Sequence, residues 1–214
     1  MNIAVIGTGN VGAALGGSFA KAGHSVVFVG RDAVKAGEVA AKAGGSASMS
    51  AADAAAQAAV VVLAVPYGAV AAVAAEIASA AAGKVVIDAT NPLKEDYSGL
   101  ATEGGPSGAE RLAAALPGAH VVKIFNTVFA SNQANPAGQG TTLDALYATD
   151  DDSARAAVSA LATGIGFRPV YVGPLAAARE LEAIAWLNIR LQVLTKGYWQ
   201  TAIVLVSAPE AALA

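Results

Sequence analysis

The chain has no cysteine at all. That removes disulfides, thiolate metal sites and cysteine nucleophiles together, and it leaves the redox compartment open. Histidine is almost as scarce. His24 and His120 are far apart in sequence, so no metal site is expected. Charged residues make up only 14% of the 214 positions, with a net charge of −3 and no basic block. Sequence-independent binding to nucleic acid needs a clustered positive surface, so that class of function is set aside. Long apolar runs are missing too. The longest, residues 54–65, is broken by Gln57 and stops at Pro66, whereas a membrane-spanning helix needs about 20 apolar residues. No basic lead of a signal peptide precedes the first strand pattern. A cytoplasmic chain with no membrane partner is expected.

Alanine, glycine and valine fill the space these absences leave, and 55% of the residues are hydrophobic. That is enough for one full core. Short β-branched runs alternate with alanine-rich stretches through the first 130 residues. Strands are predicted over 3–6, 25–29, 46–49, 60–65, 85–89 and 121–125. Helices are predicted near 11–22, 32–43, 51–58, 67–81 and 108–116. Such alternation with short connections makes a parallel sheet covered by helices on both faces, whose strands read as unbroken apolar runs. Gly23 stands where a glycine follows a helix C-terminus. Ser50 with Asp53, and Ser107 with Glu110, have capping-box spacing. A second pass predicts a strand over 143–149, a helix over 151–163, a strand over 169–172 and a long helix from Pro174 to about 194. Residues 197–206 fit helix or strand. The segment 92–106 is the one long loop expected, either a binding loop or disordered. The expected fold is a Rossmann, doubly wound, mostly parallel α/β sheet. It forms a single domain over 1–214, with a core over 1–150 and a small helical extension over 151–214.

The sharpest local signal is Gly7-Thr8-Gly9-Asn10-Val11-Gly12. A lone G-x-G-x-x-G means little, but this one follows a strand, opens a helix and lies within a β-α-β unit of about 30 residues. Gly7 makes the tight turn, Gly9 lets backbone approach a pyrophosphate, and Gly12 lets helix pack on strand. The helix N-terminus then holds the phosphate. The second strand ends Val29-Gly30-Arg31, with Arg31 placed 19 residues after Gly12. NAD enzymes place a carboxylate about there for the ribose 2′-hydroxyl. Arginine grips a 2′-phosphate instead, and Lys35 adds a second charge one helical turn on. Thr8 offers a hydroxyl from the glycine turn. Asp32 reads as the cap of the next helix rather than as a ribose ligand. The cofactor is therefore predicted to be NADP(H).

Ligands on such sheets cross the carboxyl ends of the strands. Val65, Pro66 and Asn91 are predicted to line the nicotinamide, and Asn126 and Thr127 to face the substrate. Turn chemistry explains Pro66 and Pro92 equally well. Lys123 reads as a structural charge in mid-strand, and no residue is assigned a catalytic proton transfer. The long helix carries Leu181, Ile184, Leu187 and Leu191 at spacings of three and four, which predicts a stripe buried on the sheet or on a second subunit. Trp186, Tyr198 and Trp199 fit a stack on a ring or an interface, with the interface preferred, and a homodimer is expected from the apolar C-terminal fifth.

The Gly7–Gly12 turn, Gly30-Arg31 with Lys35, Ala64-Val65-Pro66, and Val172-Gly173-Pro174-Leu175 followed by Arg179 and Glu182 together resemble the NADPH-dependent coenzyme F420 reductase family. The reductase domains of STEAP-type metalloreductases share that resemblance. It implies hydride transfer between NADPH and coenzyme F420 or a flavin, with Thr8, Arg31 and Lys35 on the 2′-phosphate. The family has serine where this chain has Gly30, and its archaeal members differ over 125–129. Three readings stay open. They are an NADP(H):F420 or flavin oxidoreductase acting on a small-molecule acceptor, an NADP-dependent reductase of a small carbonyl or imine, and a non-enzymatic NADP-sensing module.

Overall fold

A computed structural model describes residues 1–207. Among these residues are eight strands and eight α-helices. The first Rossmann half is β1 (Asn2–Ile6), α1 (Asn10–Lys21), β2 (Ser25–Val29), α2 (Ala33–Ala43), β3 (Ser46–Ser48) and α3 (Ala51–Gln57). The second is β4 (Val60–Leu63), α4 (Val70–Ala81), β5 (Val85–Asp88), α5 (Gly108–Ala115) and β6 (His120–Ile124). Then come α6 (Ala130–Ala134), β7 (Asp144–Ala148), α7 (Asp152–Gly164), β8 (Arg168–Gly173) and α8 (Ala178–Thr195). One sheet holds all the strands, in the order β3-β2-β1-β4-β5-β6-β7-β8. The order reverses between β1 and β4, which makes the crevice where a doubly wound fold takes its ligand. The pairs from β3 to β6 are parallel; β7 runs antiparallel to β6, and β8 parallel to β7. The outer strands are modest: β3 has three residues, and Pro169 interrupts β8.

Two apolar layers sandwich the sheet. On one side Leu15 and Phe19 of α1 and Val158 and Leu161 of α7 pack against Val5, Phe28, Val122 and Tyr147. On the other, Ala54, Ala74, Ile77 and Leu112 of α3, α4 and α5 pack against Ala4, Val61 and Val86. Val60–Leu63 is buried at every position, as a central parallel strand must be. The helix starts obey the sequence signals. The side chains of Asp32, Ser50 and Ser107 accept from backbone N–H groups three residues on, and Ser107 with Glu110 closes a full capping box. Gly23 takes φ of 86° just past α1.

Four expectations need correcting. Residues 197–206 form neither helix nor strand. They have no ladder partner and are held by side chains: Ser131 Oγ donates to the Trp199 carbonyl (2.6 Å), and the Leu205 N–H donates to Asp144 (2.7 Å). Short α6 and the 3₁₀ turn Pro136–Gln139 fill a stretch with no predicted element. The sheet covers only the start of the predicted stripe on α8, because Leu187 is 54% exposed and Leu191 47% exposed in the single chain. The face that is buried carries Leu181, Glu182, Ala185, Asn188, Ile189 and Gln192, since its neighbour is the polar 199–201 segment rather than the sheet. Finally, the loop over 92–106 is partly built, with a Leu93–Leu100 bridge and a Lys94–Glu103 ion pair at 3.4 Å. Among the described residues no helix is long and apolar enough to cross a membrane.

Candidate functional site

The glycine turn follows β1 directly, and each glycine meets a different constraint. Gly7 has φ of 120°, and a Cβ there would lie 2.2 Å from the Ala64 carbonyl oxygen. A Cβ on Gly12 would lie 1.9 Å from the Gly7 carbonyl oxygen, so α1 rides directly on the turn. Gly9 is the opposite case. Nothing lies within 4 Å of its Cβ position, and its backbone faces open space. In a turn that leads from strand to helix N-terminus, this leaves room for a phosphate to approach the backbone.

The start of α1 agrees. Side chains of Asp32, Ser50, Ser107 and Asp151 cap α2, α3, α5 and α7, whereas α1, like α4 and α6, has no side-chain cap and no acid in its first turn, and it alone of these three opens on the glycine turn. Its leading N–H groups and positive dipole end therefore favour an anion. Asn10, Val11 and Gly12 form this first turn. Gly7, Thr8, Gly9, Arg31, Lys35, Val65 and Pro66 together line one cleft of about 330 Å³ between the ends of β1, β2 and β4. Neither Arg31 nor the ammonium of Lys35 has an ion pair or hydrogen bond among the described residues. Asp32, by contrast, is engaged, accepting from the Lys35 N–H at 3.1 Å. At Gly30 a Cβ would come 2.8 Å from Thr8 Oγ1. The Thr8 hydroxyl thus fills the place beside Arg31 where a serine side chain would begin.

Asn91, Asn126 and Thr127 stand farther along the carboxyl edge, after β5 and β6, and outside that cleft. Asn91 Nδ2 donates to the Asn126 carbonyl (2.9 Å), and Asn126 Nδ2 donates to Asn91 Oδ1 (3.0 Å) and to the Leu181 carbonyl (3.1 Å). A carbonyl only accepts, so Leu181 fixes which way the Asn126 amide points. Asn126 and Thr127 are both buried. The turn that carries them is strained, because Phe125 has φ of 65° while fully enclosed. Gln133 holds it there, its Nε2 donating to the carbonyls of Phe125 (3.0 Å) and Val128 (2.9 Å).

Below this turn lies a buried ionic knot. Lys123 Nζ, with no exposed surface, reaches Asp88 Oδ2 at 2.9 Å, Glu182 Oε1 at 3.0 Å and the Thr90 carbonyl at 2.7 Å. Asp88 also takes the Thr90 N–H and hydroxyl, and Glu182 takes the N–H groups of Gly108 and Ala109 at the start of α5. Burial pushes the Glu182 carboxyl above its usual range, against the pull of Lys123. The knot ties β5, β6, α5 and α8 to one point under the crevice. Sequence reasoning found Lys123 as a structural charge. It missed Gln133 and the partnership with Asp88 and Glu182, which no spacing signals.

Residues 2–92 match the family model described as NADP oxidoreductase, coenzyme F420-dependent. That match takes in under half of the chain. The chain is 36% identical over 144 residues to the F420-dependent NADP reductase of Methanothermobacter marburgensis, covering 64% of each chain. It is 37% identical over 109 residues to the metalloreductase STEAP3 of Rattus norvegicus, covering 50% of this chain and 21% of that one. The chain thus spans about a fifth and under two thirds of the lengths of these two curated relatives. A solved structure from Arthrobacter sp. FB24, described as a candidate F420-dependent NADP-reductase, superposes with a TM-score of 0.87 at 27% identity, covering 95% of this chain and 99% of that one. The superposition thus takes in nearly the whole of both chains.

Proposed function

We propose that this chain is an NADP(H)-dependent oxidoreductase that passes hydride between NADPH and coenzyme F420 or a flavin-like acceptor. One observation carries the reading: an uncapped helix start, a glycine backed by open space and two unpaired cations converge on one cleft at the carboxyl edge. When bound, NADPH supplies a hydride from C4 of its nicotinamide. The chain's part is to bind and orient. The first turn of α1 takes the pyrophosphate, Arg31, Lys35 and Thr8 take the 2′-phosphate, and Val65 and Pro66 give the cofactor an apolar wall. The Asn91–Asn126 pair holds the far end of the edge in place, with Thr127 beside it. Hydride transfer to a flat ring asks for stacking, with reacting atoms about 3–3.5 Å apart, and for no proton donor from the protein.

A specific observation weighs against carbonyl or imine reduction. The obvious proton donor, Lys123, spends its ammonium hydrogens on Asp88, Glu182 and Thr90. The Tyr67 hydroxyl, which could also donate a proton at this edge, lies 3.5 Å from Arg111 and accepts from it. The exposed row Leu187, Leu191 and Leu194 supports a homodimer, which light scattering checks. The test of function is stopped-flow absorbance with NADPH against F420, FMN and FAD. Oxidation of NADPH matched by reduction of one of these is expected. Tight NADPH binding with no turnover on any acceptor overturns the reading in favour of a sensing module.

A further inference from the structure

The cleft at the ends of β1, β2 and β4 has two unlike halves. The glycine turn, Arg31 and Lys35 make the polar half. The other half forms where α3 and α4 begin, with Met49 and Ala51 on one side and Ala69, Val73 and Glu76 on the other. Positions 69, 73 and 76 stand four and three apart, so they share one face of the turn Tyr67–Ala69 and the helix that continues it. The walls are apolar but not sealed. Val73 is half-buried and Met49 is 56% exposed. An exposed methionine offers a flexible, polarisable surface to a flat ring.

Glu76 stands out in these surroundings. Among the described residues it is the only acid that lines the cleft, which otherwise offers Arg31, Lys35 and the start of α1 to phosphate. Its Oε1 accepts the Ala51 N–H at 2.9 Å, a bond that ties α4 to the first residue of α3. That bond holds the carboxylate at the cleft wall. The α3 start has a cap of its own besides, since Ser50 Oγ accepts the Asp53 N–H at 3.1 Å. Glu76 Oε2 has no partner among the described residues. An ionised carboxylate only accepts hydrogen bonds. In a cleft built for phosphates, a free negative oxygen works against the ligand unless the ligand brings a donor to it.

We propose that Glu76 reads the base of the dinucleotide, its Oε2 accepting from the exocyclic amine of adenine. The proposal rests on the reading that this cleft binds NADP(H), and it adds base specificity to that reading. The order of groups along the ligand supports it. The ribose carbon that carries the 2′-phosphate adjoins the carbon that carries the base. With that phosphate on Arg31 and Lys35, the base belongs in the same cleft, on the side away from the pyrophosphate at α1. That side is the apolar half, where Glu76 is the one charged group. Adenine presents an amine at C6, which a carboxylate can accept from. Hypoxanthine presents an oxygen there, and two acceptors facing each other leave both without a hydrogen.

The experiment compares NADPH with its deaminated analogue, which carries hypoxanthine in place of adenine, by titration calorimetry on the native chain and on two Glu76 variants. The native chain should bind NADPH about tenfold more tightly than the analogue, the low end for a hydrogen bond to a charged group. Glu76→Ala should bring that ratio near one. Glu76→Gln should bring it to one or below. An amide that keeps its oxygen on the Ala51 N–H turns its NH₂ toward the ligand, where it donates to the oxo group of hypoxanthine. A residue that only ties α3 to α4 would weaken both dinucleotides alike and leave their ratio in place. A native ratio near one, or a ratio that neither substitution moves, overturns the proposal while NADPH binding stands. Failure of the native chain to bind either dinucleotide overturns it together with the NADP(H) reading.

Discussion

The two ends of the carboxyl edge treat charge in opposite ways. At the end of β2, the side chains of Arg31 and Lys35 line an open cleft and have no partner among the described residues. At the ends of β5 and β6, Lys123, Asp88 and Glu182 are sealed from water and matched to one another and to the Thr90, Gly108 and Ala109 backbone. An unpaired exposed cation costs the fold almost nothing and is free to serve a ligand. A buried charge is tolerable only when it is paired and hydrogen-bonded. The first end is thus a binding device and the second a fastening, though a residue census of the edge would rank both as charged sites.

The comparison breaks most visibly at the fastening. Lys123→Met leaves Asp88 and Glu182 enclosed with no cation. Breaking a buried pair costs about 3–5 kcal/mol, which for a chain of this size lowers Tm on the order of 10 °C. Calorimetry on the variant checks it, and an unchanged Tm would make the knot ornamental. Arg31→Ala should do the converse. Tm should stay put, while the NADPH Kd rises roughly 10- to 100-fold from loss of a charged hydrogen bond worth about 1.5–3 kcal/mol. Titration calorimetry with NADPH and NADH reads it, and NADH affinity should not move.

Gln133→Leu sharpens the line between the two ends. It frees the carbonyls of Phe125 and Val128 and should cost about 1–3 kcal/mol in urea unfolding. It should also slow acceptor reduction without altering NADPH affinity. A parallel loss of NADPH affinity would show that the turn serves both ends. The smallest effect concerns pH. Arg179 and the Ser107 cap hold the Glu110 carboxyl down at about 2, against an ordinary 4.5. A depressed carboxylate stabilises fully above its unfolded value and loses that contribution as pH falls from about 4.5 toward 2. Glu110→Gln should therefore melt lower than the native chain at neutral pH, with the gap closing over that window. A gap that persists at pH 2 would assign the effect to packing.

What could be read in the sequence was local. The glycine turn is six consecutive residues in a strand–helix context, and Asp32, Ser50 and Ser107 announce their helices within three positions. What could not be read depended on chain separation. Lys123 meets partners 35 positions before it and 59 after it. The left-handed Phe125 looks like one more strand residue, since its conformation is imposed by Gln133 from the following helix. The leucine spacing on α8 left its covering surface, sheet or second subunit, open for a related reason. Periodicity reports which face is apolar, but the neighbour decides which face is buried, and here that neighbour is a polar segment bonded to Asn188 and Gln192. Residues 197–206 have strand-like composition with no ladder to join.

The modest outer strands have a consequence for solubility. A chain so rich in alanine and valine, laid out as one eight-stranded sheet, would recruit further strands if its borders were long and regular. Three-residue β3 offers too few backbone groups to template another chain, and Pro169 withholds an N–H from β8. The molecule can thus keep an apolar sheet at its centre without inviting the edge-to-edge aggregation that such sheets are prone to.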